Sequence, residues 1–163
     1  MSNDAAFFIL HKIILKSYYC LIVCHEYLSY NYIVREVIVM GYKFLNVNPS
    51  NKIVGDCVVR AISLALNRSW DSVYIDLSIL GFFEKDVFTS NAVWSLYLKQ
   101  NGFKKYAIPD TCPDCYTIKD FAMDHPEGTY ILSTGQHTVC VKDGNYYDTW
   151  LSGDERPIFY FER

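Results

Sequence analysis

The sequence predicts an α+β fold in which helices come first and pack on a small antiparallel sheet. Three observations carry that expectation. Apolar residues recur at helical spacing between Val58 and Leu98. After residue 128 the period changes to short β-rich runs. Turn residues, above all Asp143-Gly144, separate those runs.

Taken in order, Asp56 is a good N-cap, and Val58, Ala61, Ile62, Ala65 and Leu66 follow as one stripe, with Arg60, Ser63 and Asn67 off it. A second helix follows Ser69, turns Val73, Leu77 and Leu80 inward and ends at Gly81. A third follows Ser90, carries Val93, Trp94, Tyr97 and Leu98, and stops at Asn101-Gly102. FKKYAI, residues 103–108, reads as a strand before Pro109, and Thr117 caps a short helix closed by His125-Pro126. TYILST, HTVCVK, NYYDTW and PIFYF then read as strands of one antiparallel sheet.

Composition excludes several classes of function. The chain has 163 residues, half of them apolar, which suits one globular domain with a real core. A formal charge of -3 and the absence of a Lys/Arg cluster give no field for nucleic acid. Six cysteines in a chain of this size, without a secretory signal, suit a reduced cytoplasm better than a disulfide scaffold. Residues 1–39 differ from the rest: they lack Gly and Pro, and their helical periodicity is poor. Arg35-Glu36-Val37 can be encoded by a purine-rich ribosome-binding sequence ahead of an ATG for Met40. Met40 is therefore expected as the natural start and 1–39 as a translated leader. The alternative is an extra amphipathic helix at a membrane surface, with Lys12 and Lys16 on it. No membrane contact is expected from residues 40–163.

VGDCVVRAIS, residues 54–63, places Cys57 where a helix begins. A helix N-terminus concentrates partial positive charge and unsatisfied N–H groups, which favour thiolate and can hold an oxyanion. Gly55 leaves room for a substrate carbonyl. Alone, Cys57 reads more readily as a small apolar residue packed under the helix, so the chemistry needs a base. His11 and His25 lie in the leader, and His125 precedes a helix-ending proline, which suits capping. His137 opens a strand. With Asp143-Gly144 as a two-residue turn, Lys142 pairs with Asn145, Val139 with Asp148, and His137 with Trp150. Alternation then puts His137, Val139, Asp148 and Trp150 on one face, with Asp148 the diagonal neighbour of His137 and Cys140 facing away from the site. Cys57, His137 and Asp148 make a nucleophile, a base and an orienting acid.

These three segments, VGDCVVRAIS, GQHTVCV and NYYDTW, resemble the papain-like cysteine peptidase superfamily, especially its small bacterial and phage members and C39-like peptidase domains. The order Cys, His, Asp is that superfamily's order. The resemblance implies a papain-like catalytic domain over residues 40–163, a cysteine peptidase acting on an amide bond of a peptide or protein substrate, and no cofactor or metal. It also implies an oxyanion-hole amide about six residues before the nucleophile. Asn51 stands there where the family often has Gln, with Asn48 and Ser50 as nearby substitutes. Small bacterial and mobile-element proteins with a similar GNYYDTW string often have Asp where this chain has Leu151.

Two other readings compete. The fold could serve as a binding module without turnover. Alternatively, Cys112-Pro113-Asp114-Cys115 could hold zinc or act in redox chemistry, though no second ligand pair exists and the parallel βαβ order of a glutaredoxin-like protein is missing. A proline-containing turn with two reduced thiols accounts for the motif more simply. Trp70 and Trp94, on apolar helix faces, are expected in the core, and Trp150 either walls the cleft or joins the core.

Overall fold

A computed structural model of the chain describes residues 41–109 and 115–163. The predicted leader, with Lys12, Lys16, His11 and His25, lies outside the described residues, as does Cys112.

The order of elements is β1 (Tyr42–Phe44), α1 (Cys57–Leu66), α2 (Trp70–Glu84), α3 (Asn91–Gln100), β2 (Lys104–Ala107), α4 (Ile118–Asp124), β3 (Thr129–Ser133), β4 (Thr138–Lys142), β5 (Asn145–Asp148) and β6 (Phe159–Glu162). Six strands form one sheet in the order β1-β5-β4-β3-β6-β2. Every neighbouring pair is antiparallel except β1 and β5, which run parallel with Phe44 opposite Asp148. The architecture is therefore α+β with a mixed sheet, which corrects the expected antiparallel one. β1 has only three residues and joins its partner by a long crossover, so no turn or alternation in the sequence announces it.

Caps fix most helix starts as the sequence suggests. Ser69 and Ser90 accept hydrogen bonds from the N–H groups of Ser72 and Val93. Thr117 and Asp120 form a capping box at α4. Asp56 is the exception. Its side chain makes no cap bond to α1, because its carboxylate instead accepts from Arg60, Trp70 Nε1 at 2.9 Å and Asn48 Nδ2 at 3.4 Å.

The sheet is covered on both faces. On one, α1, α2 and α3 bury Val59, Ile62, Leu77, Trp94 and Leu98 against Ile131, Cys140, Phe159 and Phe161. On the other, α4 buries Ile118, Phe121 and Ala122 against Leu132, Val139, Val141 and Tyr146. Neighbouring strand residues such as Ile131 and Leu132 serve opposite clusters, as strand periodicity requires. Helix α1 runs against β3, β4 and β5 and also against α2. It is thus enclosed on more than one side, and Arg60 and Ser63, read from the sequence as lying off the apolar stripe, are buried. Trp94 is fully buried, as expected, whereas Trp70 is half-buried and uses its indole N–H.

Gly81 does not end α2. It is buried inside the helix, where the chain doubles back so tightly that an added Cβ would lie 2.7 Å from the Asp86 carbonyl oxygen and 3.1 Å from the Phe88 nitrogen. The stop comes at Lys85, whose left-handed backbone caps the helix. Helix propensity favours Ala over Gly by about 1 kcal/mol, but this contact opposes it with backbone atoms that cannot rotate away. Gly81→Ala is expected to destabilise the fold by roughly 1–3 kcal/mol, read as a lower urea midpoint at unchanged slope. A midpoint at or above wild type would contradict the close approach.

Candidate active site

The tight turn that sets the site is Asp143-Gly144. Both residues have positive φ, 48° and 74°, the geometry of a type I′ hairpin. The register follows: Lys142 opposite Asn145, Val141 opposite Tyr146, Cys140 opposite Tyr147. There the paired ladder stops. His137 lies just before β4 and Asp148 closes β5, so the two meet beyond the last rung.

His137 Nε2 is 2.5 Å from Asp148 Oδ2. The other carboxylate oxygen, Oδ1, accepts from the Thr149 N–H at 2.7 Å and lies 3.6 Å from Arg60 Nη2. With Nε2 engaged, Nδ1 is the ring nitrogen left for the Cys57 thiol, whose ionisation is coupled to that of His137. The turn before β4 holds the imidazole in place: His137 N–H donates to Thr134 Oγ1 at 3.2 Å, and its carbonyl accepts from Thr134 N–H at 2.9 Å. Trp150 lies beside the imidazole, ring centres 5.3 Å apart, and is 46% exposed, so it is part of the rim and not of the core.

The chemistry of the trio follows from burial opposed by pairing. Burial pushes the Cys57 thiol up. The hydrogen bond and charge of His137, the Thr138 backbone N–H and the Arg60 charge oppose it and prevail, so the thiol sits below its ordinary value. Burial pushes His137 down, but hydrogen bonds to Asp148 and Cys57, together with their negative charge, raise it to about 9. Asp148 is pushed up by burial and held lower by its bond to His137, ending below the usual carboxylate range. These directions agree: the pairing favours thiolate, imidazolium and carboxylate over their neutral forms.

The diagonal His137–Asp148 contact occurs, but not with the facing expected from alternation. Val139 belongs to the α4 cluster, whereas Cys140 lies in the cluster under α1, the one Cys57 packs against. Cys140 therefore does not face away from the layer that carries the thiol. Strand alternation assigns faces only within the ladder, and His137 stands outside it. Cys140 is fully buried and its thiol is pushed up to about 12, so it is a packing residue.

Asn51 is apart from this trio. It is exposed, with a left-handed φ of 54° and its N–H donating to the Asn48 carbonyl, and no hydrogen bond joins its side chain to Cys57, His137 or Asp148. Asn48 is buried and engaged with Asp56 and the Ser50 N–H. The donors available at the nucleophile are instead the first-turn N–H groups of α1, which the Asp56 side chain leaves uncapped. Gly55, two residues before the nucleophile, has open space beside it: an added Cβ would meet nothing within 4 Å.

Sequence reasoning missed Arg60 and the three-donor environment of Asp56. The signal was present as the i, i+4 spacing of Asp56 and Arg60 across Cys57. Among the described residues no group of three His, Cys, Asp or Glu could hold a metal ion. His125 takes a local role: Nδ1 meets the Phe121 carbonyl oxygen at 2.8 Å, and its ring stacks on Phe121. No helix among the described residues is long and apolar enough to cross a membrane. No protein-family model, curated protein or solved structure matches the chain.

Iodoacetamide at mildly acidic pH is expected to alkylate Cys57 and spare Cys140. In His137→Ala the groups that lower the thiol are largely lost while its burial remains, so the rate at that pH should fall roughly tenfold or more. Mass spectrometry of the labelled peptides checks this, and equal rates in the two proteins would refute the coupling.

Proposed function

We propose that the chain is a papain-like thiol hydrolase, a cysteine peptidase that cleaves amide bonds in peptides or proteins of the cytoplasm. One observation carries this: His137 Nε2 lies 2.5 Å from Asp148 Oδ2, and the ionisation of the Cys57 thiol is coupled to the same ring.

The Cys57 thiolate attacks the substrate carbonyl carbon, and the carbonyl oxygen becomes an oxyanion held by the first-turn N–H groups of α1. The His137 imidazolium gives its proton to the departing amine, and the C–N bond breaks to leave a thioester on Cys57. Neutral His137 then takes a proton from water as that water attacks the thioester. Collapse releases the carboxylic acid and restores the thiolate and imidazolium. Asp148 orients the ring and stabilises its charged form throughout.

The role that family likeness suggests for Asn51 has little geometric support, since its amide lies at the surface without a bond to the trio. The N–H donors at the nucleophile do not depend on a side chain.

A panel of fluorogenic peptide, isopeptide and ester substrates tests the proposal. Turnover should be abolished by Cys57→Ala, and Asp148→Asn should reduce kcat by on the order of a hundredfold or more with little change in KM. Asn51→Ala should cost less than about tenfold. The pH profile should be a bell. Its acid limb follows Cys57, below the ordinary thiol range, and its basic limb falls near 9 as His137 loses the proton that the leaving amine needs. Absence of turnover across the panel, with Cys57 still reactive towards iodoacetamide, would favour a binding module over an enzyme.

A further inference from the structure

We propose that Arg60 is a positioning residue of the site: its guanidinium, clamped by Asp56, holds the Asp148 carboxylate so that Oδ2 faces His137. This rests on the reading of Cys57, His137 and Asp148 as a catalytic trio.

Arg60 lies one turn beyond Cys57 on α1 and is 5% exposed, between Asp56 at 4% and Asp148 at 2%. Nη1 bonds the Asp56 carboxylate and the Val54 carbonyl oxygen, the latter at 3.3 Å, while Nη2 is turned to Asp148 Oδ1 at 3.6 Å. The fork therefore straps the helix that carries the nucleophile to the strand that carries the acid. Asp56 is itself fixed by Trp70 Nε1 and Asn48 Nδ2, so the strap is anchored at its far end.

A buried ion network is a costly way to join a helix to a sheet, because apolar side chains of similar volume do so at least as well. What they cannot supply is direction at a carboxylate. Asp148 divides its oxygens, Oδ1 towards Arg60 and the Thr149 N–H and Oδ2 towards His137, and a rotated carboxylate would lose that division. A lysine ammonium keeps the charge but cannot fork between two carboxylates.

The charged and titratable groups in this cluster are Asp56 and Arg60 from the α1 end, Tyr42 on β1, whose hydroxyl donates to the Asp148 carbonyl at 3.4 Å, His137 before β4, Asp148 at the end of β5, and Cys57 itself. Replacing Arg60 alone would leave two buried carboxylates without their cation, so the informative variant is the charge-balanced double replacement Asp56→Asn with Arg60→Gln. The experiment is a pH titration of Cys57 thiolate by ultraviolet absorbance, each protein referenced to its own Cys57→Ser partner, with thermal unfolding as a check on the fold.

The folded double variant should titrate Cys57 at higher pH than wild type, by about half a unit or more. Arg60→Lys should recover only part of that shift. A folded double variant with the wild-type titration overturns the role of Arg60, and if His137→Ala still raises the midpoint, the trio stands without it. An unchanged midpoint in His137→Ala overturns the trio and the role of Arg60 together.

Discussion

The imidazole of His137 is held between a buried carboxylate and a thiol, and the local structure is organised around keeping it there. A half-buried histidine would ordinarily lose its proton readily, because burial disfavours charge. Here Asp148 on one side and Cys57 on the other reverse that tendency and raise the ring to about 9. The same contact lowers the thiol and the carboxylate. Each of the three shifts is carried in part by the others.

Two structural features bring these groups together from opposite ends of the sequence. Helix α1 is enclosed by the sheet and α2, which holds Cys57 against the core cluster that includes Cys140 of β4. The type I′ turn at Asp143-Gly144 fixes β5 against β4, so Asp148 arrives beside His137 with no freedom of register. Asp56 contributes by what it does not do. Because its carboxylate faces Arg60 and Trp70, the first N–H groups of α1 have no side-chain cap and remain as donors beside the sulfur. A small loss of helix stability, of order 1 kcal/mol for an unmade cap, thereby leaves a site able to stabilise an anion.

The hairpin was legible from the sequence because Asp-Gly prescribes both turn type and register, and with them the His137–Asp148 contact. Ser69, Ser90 and Thr117 were legible for a similar reason: caps act within four residues. What could not be read depends on the approach of distant segments. Gly81 looks like a helix stop until residues 86–88 are seen to fold back on it. Arg60 looks solvated when α1 is taken as one-sided, and becomes a buried bridge once α2 covers the other side. Cys140 reads as facing away from the site only when alternation is carried past the end of the ladder, where His137 stands. β1 has too few residues to carry a pattern at all.

The central claim is a charge state, and nitrogen NMR of the His137 side chain reads it most directly. At pH 7.5, with selectively labelled histidine, His137 should give the shifts of a doubly protonated ring, titrating near 9. In Cys57→Ser, which removes the thiolate partner, the same ring should titrate lower. A neutral His137 in the wild-type protein, titrating near the ordinary histidine value of about 6.5 and indifferent to Cys57, would contradict the account.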